Sequence, residues 1–399
     1  MKILVVMDAY PLPMRTGGAI VGFHAMEQLA RRHEIDFFCL SSEGDGAELA
    51  EIVSHVTLIR PEISSVTRRA MRLFSRLLFR IFPNQDWRGD RNLRTVIAQR
   101  MREHRFDAIL LFEMGAIKHL PRQLLSRLAV NIEDPQSLRL SRTADLPVWS
   151  RASRLKIKIL AALTRRYEQA VLPQLAKVFL LSKRDIEDFR VQGNHLNLAH
   201  VSYGVMPKAT GDIKPYASRR KIIVYTGNMF HPPNIDGALH FLEDIFPHVL
   251  RMESTAKVFI VGAEPDRRIF QAAKRYGASV EITGRVASLA SYLETALVSI
   301  CPVRLEIGVQ TKILESLSYG TPVVTTIAGN RGIGATSGMH LHAVDDAELF
   351  AQKVCGLLRG ENWPALSANG LQFVTDHFSW TESARQLETH LATLSGSGE

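Results

Sequence analysis

Lys312 and Glu315 stand three residues apart in the string RLEIGVQTKILESLSYGTPVVTT (304–326), which reads as loop, helix start, helix, glycine stop, proline and buried strand. That spacing puts both side chains on one face of the first helical turns. An ammonium beside the N–H groups of a helix N-terminus can neutralise a diphosphate leaving group. A carboxylate next to it can accept two hydrogen bonds from a ribose diol. The same pair, taken alone, also fits a surface ion pair worth a few tenths of a kcal/mol. Gly308 in the preceding loop permits a backbone angle that other residues resist. A second candidate is RTGGAIVG (15–22), where Gly17 and Gly18 open a helix just after the first strand. There, backbone can approach a phosphate at a helix N-terminus, although glycine also punctuates ordinary turns. The string lacks the G-x-G-x-x-G spacing of a dinucleotide fingerprint.

A third pattern lies in RRAMRLFSRLLFRIF (68–82). On a helical projection Arg68, Arg69, Arg72, Arg76 and Arg80 share one arc, and the apolar residues other than Phe79 fill the opposite one. An interfacial helix on anionic lipid has this pattern, and so does a surface helix packed on its own core. The chain carries a net charge of +9. Residues 1–170 hold 27 Lys/Arg against 18 Asp/Glu, and the remainder holds 22 of each, so the whole excess lies in the first half. A basic half points to an anionic partner. Nucleic acid is not expected, because no aromatic platform or recognised module accompanies the arginines.

The elements that must position these residues alternate strand and helix, as in α/β proteins with parallel sheets. Buried-strand candidates are ILVVM (3–7), IDFFCL (35–40), AILLF (108–112), VNI (130–132), VFLLS (178–182) and AHVSYG (199–204). A second series, KIIVYTG, KVFIVG, VEITG, VSICPV and PVVTT, begins after residue 219. Helical spacing marks 18–32, 235–251, 266–276, 288–297, 312–319 and about 380–394. The segment 206–219 lacks apolar periodicity and reads as a linker. The expected domains are therefore 1–205, a linker at 206–219, 220–376, and a C-terminal helix in 377–399 returning to the first domain. Cys39, Cys301 and Cys355 are too few and too scattered for a disulfide framework, and no Cys/His cluster has zinc spacing. No apolar run reaches the roughly 20 residues of a membrane-spanning helix, and the N-terminus reads as a strand and not a signal peptide.

The complete string GVQTKILESLSYGTPVV resembles the donor-site helix of glycosyltransferase family 4, also called group 1, with K-x-x-E, small residues and G-x-P-V-V. YTGNMFHPPNIDGALHFLEDIFP (225–247) is similar to the start of the donor domain in the family's bacterial exopolysaccharide subgroup. FIVG (259–262), ITGRV (282–286), LLSKRDIEDF (180–189), VSYGV (201–205) and HFSWTESARQLE (377–388) follow the family's order. The resemblance implies a GT-B fold, two facing Rossmann-like domains with an interdomain cleft. It also implies a hexosyl transfer, with retention, from a nucleotide-diphosphate sugar to a glycan or polyprenyl-linked acceptor in surface polysaccharide biosynthesis. By resemblance, Glu315 binds the ribose, Lys312 and Arg304 the diphosphate, Gly17 and Gly18 the phosphate from the opposite domain, and the backbone at Arg285–Val286 the nucleobase. Gly227 and Asn228 belong to the same donor site.

The chain departs from the family at three places. Ile307 stands where a glutamate is expected eight residues before Glu315, with Glu306 adjacent as its substitute. Asn228 and His231 occupy the loop that usually carries an arginine–lysine pair. In NIEDPQS (131–137), Glu133 or Asp134 takes the place of an acceptor-side histidine. No supported D-x-D motif is present, so no metal and no cofactor are expected, the nucleotide sugar being a substrate. The expected location is cytoplasmic, peripheral on the inner face of the membrane if 68–82 binds lipid. Two other functions suit the same features: a nucleotide-sugar epimerase of similar fold, and a non-catalytic nucleotide-sugar-binding partner.

Overall fold

The computed structural model describes residues 1–14, 16–40, 46–59, 91–191 and 197–395. Arg15 and the amphipathic segment 68–82 lie outside the described residues. The chain divides into two compact units. One comprises Met1–Leu138, Lys156–Ser202 and Trp380–Glu399; the other comprises Arg139–Leu155 and Tyr203–Ser379.

The first unit holds strands β1 (Lys2–Met7), β2 (Glu34–Leu40), β3 (His55–Ile59), β4 (Ala108–Phe112), β5 (Leu128–Asn131), β6 (Lys177–Leu180) and β7 (Leu198–His200). They form one sheet in the order β3-β2-β1-β4-β5-β6-β7, and every pairing is parallel. Ile3, Leu4, Val5 and Val6 are fully buried in succession. A strand covered by helices on both faces must be apolar without alternation, which is why such runs read as strands from sequence. β3 escapes that reading because all five of its residues are only half-buried, as suits a sheet edge. The C-terminal helix Trp380–Ser395 belongs to this unit. Trp380 stacks on His24 at 4.5 Å, and Gln386 Oε1 accepts from Ser202 N at 2.8 Å.

The second unit holds β8 (Arg220–Thr226), β9 (Lys257–Val261), β10 (Val280–Gly284), β11 (Ala296–Cys301), β12 (Val323–Thr325) and β13 (His342–Ala343). Their order is β10-β9-β8-β11-β12-β13, again all parallel. The six strands of this sheet thus repeat the order of the first six in the other, which adds β7 at one edge. Tyr225, Phe241, Phe246, Phe350 and Trp363 fill the core on one side of this sheet.

The single helix expected at 235–251 is interrupted. Pro232–His240 and Phe246–Met252 are α-helical, and Phe241–Ile245 forms a π turn. Pro247 has no N–H to continue an α ladder, and a π turn absorbs the mismatch. Phe246 N bonds Phe241 O, and the Leu242 carbonyl instead accepts from Arg275 Nη2 at 3.0 Å and from the Tyr276 hydroxyl. The Leu242 carbonyl is thus satisfied.

Candidate active site

In an open parallel sheet, ligands gather at the carboxyl ends of the strands where the order reverses. In the second unit that point lies between β8 and β11. β8 runs into Gly227 and Asn228, and β11 runs into the loop 302–310 and then the helix Thr311–Ser318. Backbone packing here is close: a Cβ at Gly262 would lie 1.6 Å from the Gly227 carbonyl oxygen, and one at Gly332 would lie 1.8 Å from that of Gly308. Gly308 itself sits at φ 65, the left-handed region that favours glycine.

The helix Thr311–Ser318 is tied down at both ends. Buried Ser316 donates to Lys312 O at 2.7 Å and lies 2.7 Å from Ser299 Oγ of β11. Its C-terminus closes on Gly320 at φ 61. Thr321 N bonds Ser316 O at 3.0 Å and Gly320 N bonds Leu317 O at 2.9 Å, the paired bonds of a Schellman motif. No side chain caps its N-terminus, so the first-turn N–H groups face the site. Lys312 Nζ donates to Gln310 Oε1 at 2.9 Å. Glu315, one turn on, is half-buried. Loss of hydration pushes its carboxyl above the usual range, and Lys312 opposes this. Among the described residues no hydrogen-bond donor reaches the Glu315 carboxylate; its backbone carbonyl accepts from Ser318. A dehydrated carboxylate without protein donors suits a ligand that supplies them.

Two residues expected at the donor already have protein partners. Arg304 gives Nε and Nη2 to both oxygens of Asp236, at 2.9 and 2.7 Å. Asp236 is almost fully buried, so this fork holds the loop after β11 to the helix Pro232–His240. Glu306 pairs its carboxylate with Arg331, and its carbonyl accepts from Arg142. Ile307, at the position of the family's glutamate, is buried. Arg285 is exposed beside Glu264 at 3.9 Å, and Val286 packs against the apolar cluster of Ile222, Val224 and Val261.

His231 precedes the helix Pro232–His240. It keeps exposed surface, yet its imidazole is crowded enough that loss of hydration, then the charges of Arg139 and Lys312, lower its pKa to about 4. Arg139 and Arg142 were not picked out from the sequence. Their spacing within QSLRLSRTA (136–144) is the helical signal that could have found them.

The first unit has its own switch point between β1 and β4. The residue after each strand is acidic: Asp8 after β1 and Glu113 after β4. Neither was a sequence candidate, and their place directly behind buried runs is the signal that marks them. Asp8 pairs with Lys118 at 3.2 Å. Glu113 and Glu133 adopt φ 66 and 61, an unusual angle for residues with a Cβ and one that clusters at functional sites. A cavity of about 160 Å³ is lined by Asp8, Tyr10, Thr16, Phe112 and Glu113 among others. Glu133 N is fixed by Asn131 Oδ1 at 3.0 Å, and Asp134 follows it.

Gly17 and Gly18 open the helix Gly17–Leu29 behind the N-cap Thr16. A Cβ at Gly17 would lie 2.8 Å from Glu133 Oε2, and one at Gly18 would lie 2.1 Å from Glu113 Oε1. The glycines therefore make room for two carboxylates at a helix N-terminus, where negative charge is stabilised. A phosphate placed there would meet the charge of those two carboxylates.

Residues 220–360 match the family of group 1 glycosyl transferases. Over 163 residues the chain is 22% identical to an uncharacterized 44.6 kDa protein in the cps region of Klebsiella pneumoniae; the match spans 39% of this chain and 42% of that protein. Sucrose-phosphate synthase from Thermosynechococcus elongatus superimposes with a TM-score of 0.72 at 15% identity, over 100% of both chains. HepE from Anabaena, solved with UDP and glucose, gives 0.66 at 13% identity over 98% of this chain and 100% of its own. The chain thus has the GT-B fold, two parallel-sheet α/β units, and its residues 220–360 are similar to the group 1 glycosyl transferases.

Proposed function

We propose that the protein transfers a hexosyl group from a nucleotide-diphosphate sugar to a glycan or lipid-linked acceptor, with retention, in surface polysaccharide assembly. The observation that carries this reading is Glu315, a half-buried carboxylate that no donor among the described residues reaches, on a helix whose uncapped N-terminus also presents Lys312. A ribose diol supplies two O–H donors to such a carboxylate. Lys312, Arg139 and the helix N–H groups supply positive charge for the diphosphate, strongest as it departs. Asn228 and Gly227 border this site, and the backbone at Arg285–Val286 is the proposed nucleobase edge. UDP sugars come first among donors because HepE was solved with UDP.

Glu133 and Asp134, together with Asp8 and Glu113, form the proposed acceptor side in the first unit. With same-face attack the acceptor hydroxyl passes its proton toward the leaving phosphate, and no carboxylate nucleophile is required. The surface polysaccharide context draws on the cps-region relative, and the arginine pattern of 68–82 is proposed to meet an anionic surface on sequence alone.

A panel of nucleotide sugars tests the donor assignment by thermal shift, since a ligand of the folded state raises Tm. One or more nucleotide-diphosphate sugars should do so, and Glu315→Ala should weaken that binding by about 1–3 kcal/mol. If no such sugar raises Tm, or if the variant binds as tightly, the reading is wrong. A second reading, donor binding without transfer, draws on buried Ile307 and on the Glu306–Arg331 pair. Donor binding with neither hydrolysis nor transfer to any glycan would favour it.

A further inference from the structure

The helix Arg151–Val171 has two apolar faces, and among the described residues only one of them is buried. Ile157, Leu160, Ala161, Thr164 and Glu168 are buried. At 3.6 residues per turn they share an arc of about 100°. Ala152, Leu155, Ile159, Ala162 and Leu163 fall within an equal arc on the opposite side. Leu155, Ile159 and Leu163 are 63%, 53% and 45% exposed. One exposed leucine needs no explanation, but three at i, i+4 and i+8 make a contiguous stripe. Cations edge that stripe. Exposed Lys156 flanks one side, Arg151, Lys158 and Arg165 flank the other, and Arg166 sits near its end. The helix carries one acidic residue, Glu168, which is fully buried on the far face and bonded by Ser137 N at 3.0 Å.

We propose that this outer face docks on an anionic lipid surface, with the leucine and isoleucine side chains inserted and the basic rims meeting headgroups. The charge pattern selects the occupant. A second copy related by a two-fold axis would bring cationic rims together, and like charges across an interface oppose association. A nucleic acid would satisfy the cations but leave the apolar stripe in water. The proposal concerns a segment separate from 68–82 and stands without the donor chemistry.

The test uses the full-length protein and sedimentation with vesicles of phosphatidylglycerol and phosphatidylcholine, against phosphatidylcholine alone. The wild type should prefer the anionic vesicles, and rising salt should weaken binding without abolishing it. Lys156→Glu, Arg165→Glu and Arg166→Glu together should lower the partition coefficient about tenfold or more. Leu155→Ser, Ile159→Ser and Leu163→Ser should remove the salt-resistant part. Both variants change exposed positions and should keep the wild-type Tm and donor-induced thermal shift. The three native cysteines are buried, so Ile159→Cys can carry an environment-sensitive fluorophore, whose emission should shift to the blue on anionic vesicles alone. Absence of anionic preference in the wild type overturns the proposal, as do unchanged binding by both variants or a label that stays aqueous. A wild-type dimer dissolved by the serine variant would assign the face to a second copy, and binding to nucleic acid in place of vesicles would assign it there.

Discussion

At the scale of single residues, Glu315 pairs a stability cost with a proposed binding role. Its folded pKa is raised, so the folded state favours the protonated carboxyl. The sign follows by linkage: its contribution to stability is fully present below the unfolded pKa and is lost as pH rises through the folded one. Glu315→Gln, neutral and similar in shape, should therefore raise Tm at pH 7 to 8 relative to the wild type. The gain should vanish below about pH 4, where both states of the wild type are protonated. The same substitution should weaken donor binding, and wild-type donor affinity should fall on acidification through the raised pKa. Melting curves across pH, with and without donor, check both outcomes; a destabilised glutamine variant would contradict the assignment. Lys312 acts differently. Its proposed role is strongest as the diphosphate leaves, so Lys312→Ala should depress kcat more than it weakens donor binding. Steady-state kinetics beside equilibrium titration separate the two. Unchanged kcat would reduce Lys312 to the Gln310 contact seen in the structure.

At the scale of elements, the helix Thr311–Ser318 is held from beneath by Arg219. This arginine is almost fully buried. Its Nη1 donates to Leu293 O, Ala296 O and Thr321 Oγ1, and its Nη2 donates to Tyr319 O. Nε donates to Lys214 O, and the guanidinium lies 5.0 Å from the Trp363 ring centroid. Burial lowers its pKa to about 10. One side chain thus joins the end of the 206–219 segment, the start of β11 and the end of the helix Thr311–Ser318. Arg219→Ala would strand several carbonyls and should cost at least about 3 kcal/mol, read from denaturant midpoints. Gly320→Ala is a milder probe of the same end. It forces alanine into φ 61 and sets its Cβ 2.6 Å from Ile213 Cγ2, and should cost about 1–2 kcal/mol in backbone strain before any clash. A neutral effect would mean that the turn relaxes without moving the helix.

At the scale of the whole molecule, two sheets that share a six-strand order each bring acidic or polar residues to their reversal point. Positive charge for the departing diphosphate is proposed to come from Lys312, Arg139 and helix dipoles, without a metal ion. Transfer should then persist in excess chelator and gain little from added divalent cation. A loss of activity in chelator restored by magnesium or manganese would reject this. If the proposed retention holds, the product keeps the donor's anomeric configuration, and NMR of the product showing the inverted anomer would reject it.

Much of the fold was legible because its cause is local. Residues 3–6 and 108–112 are apolar throughout, and only a strand covered on both faces is built that way. The helix at 311–318 announced itself by its spacing and its Gly-Thr-Pro stop. β3 and β13 were silent, since β3 is half-buried along its whole length and β13 is only two residues long. The residue types and spacing of Lys312 and Glu315 were also readable, because a helix fixes which neighbours share a face. What became of Arg304, Glu306, Gly17 and Gly18 was not readable. Their partners Asp236, Arg331, Glu133 and Glu113 lie far along the chain. Which cation meets which carboxylate is set by the crossing of separate strands and helices, and only the tertiary structure decides it.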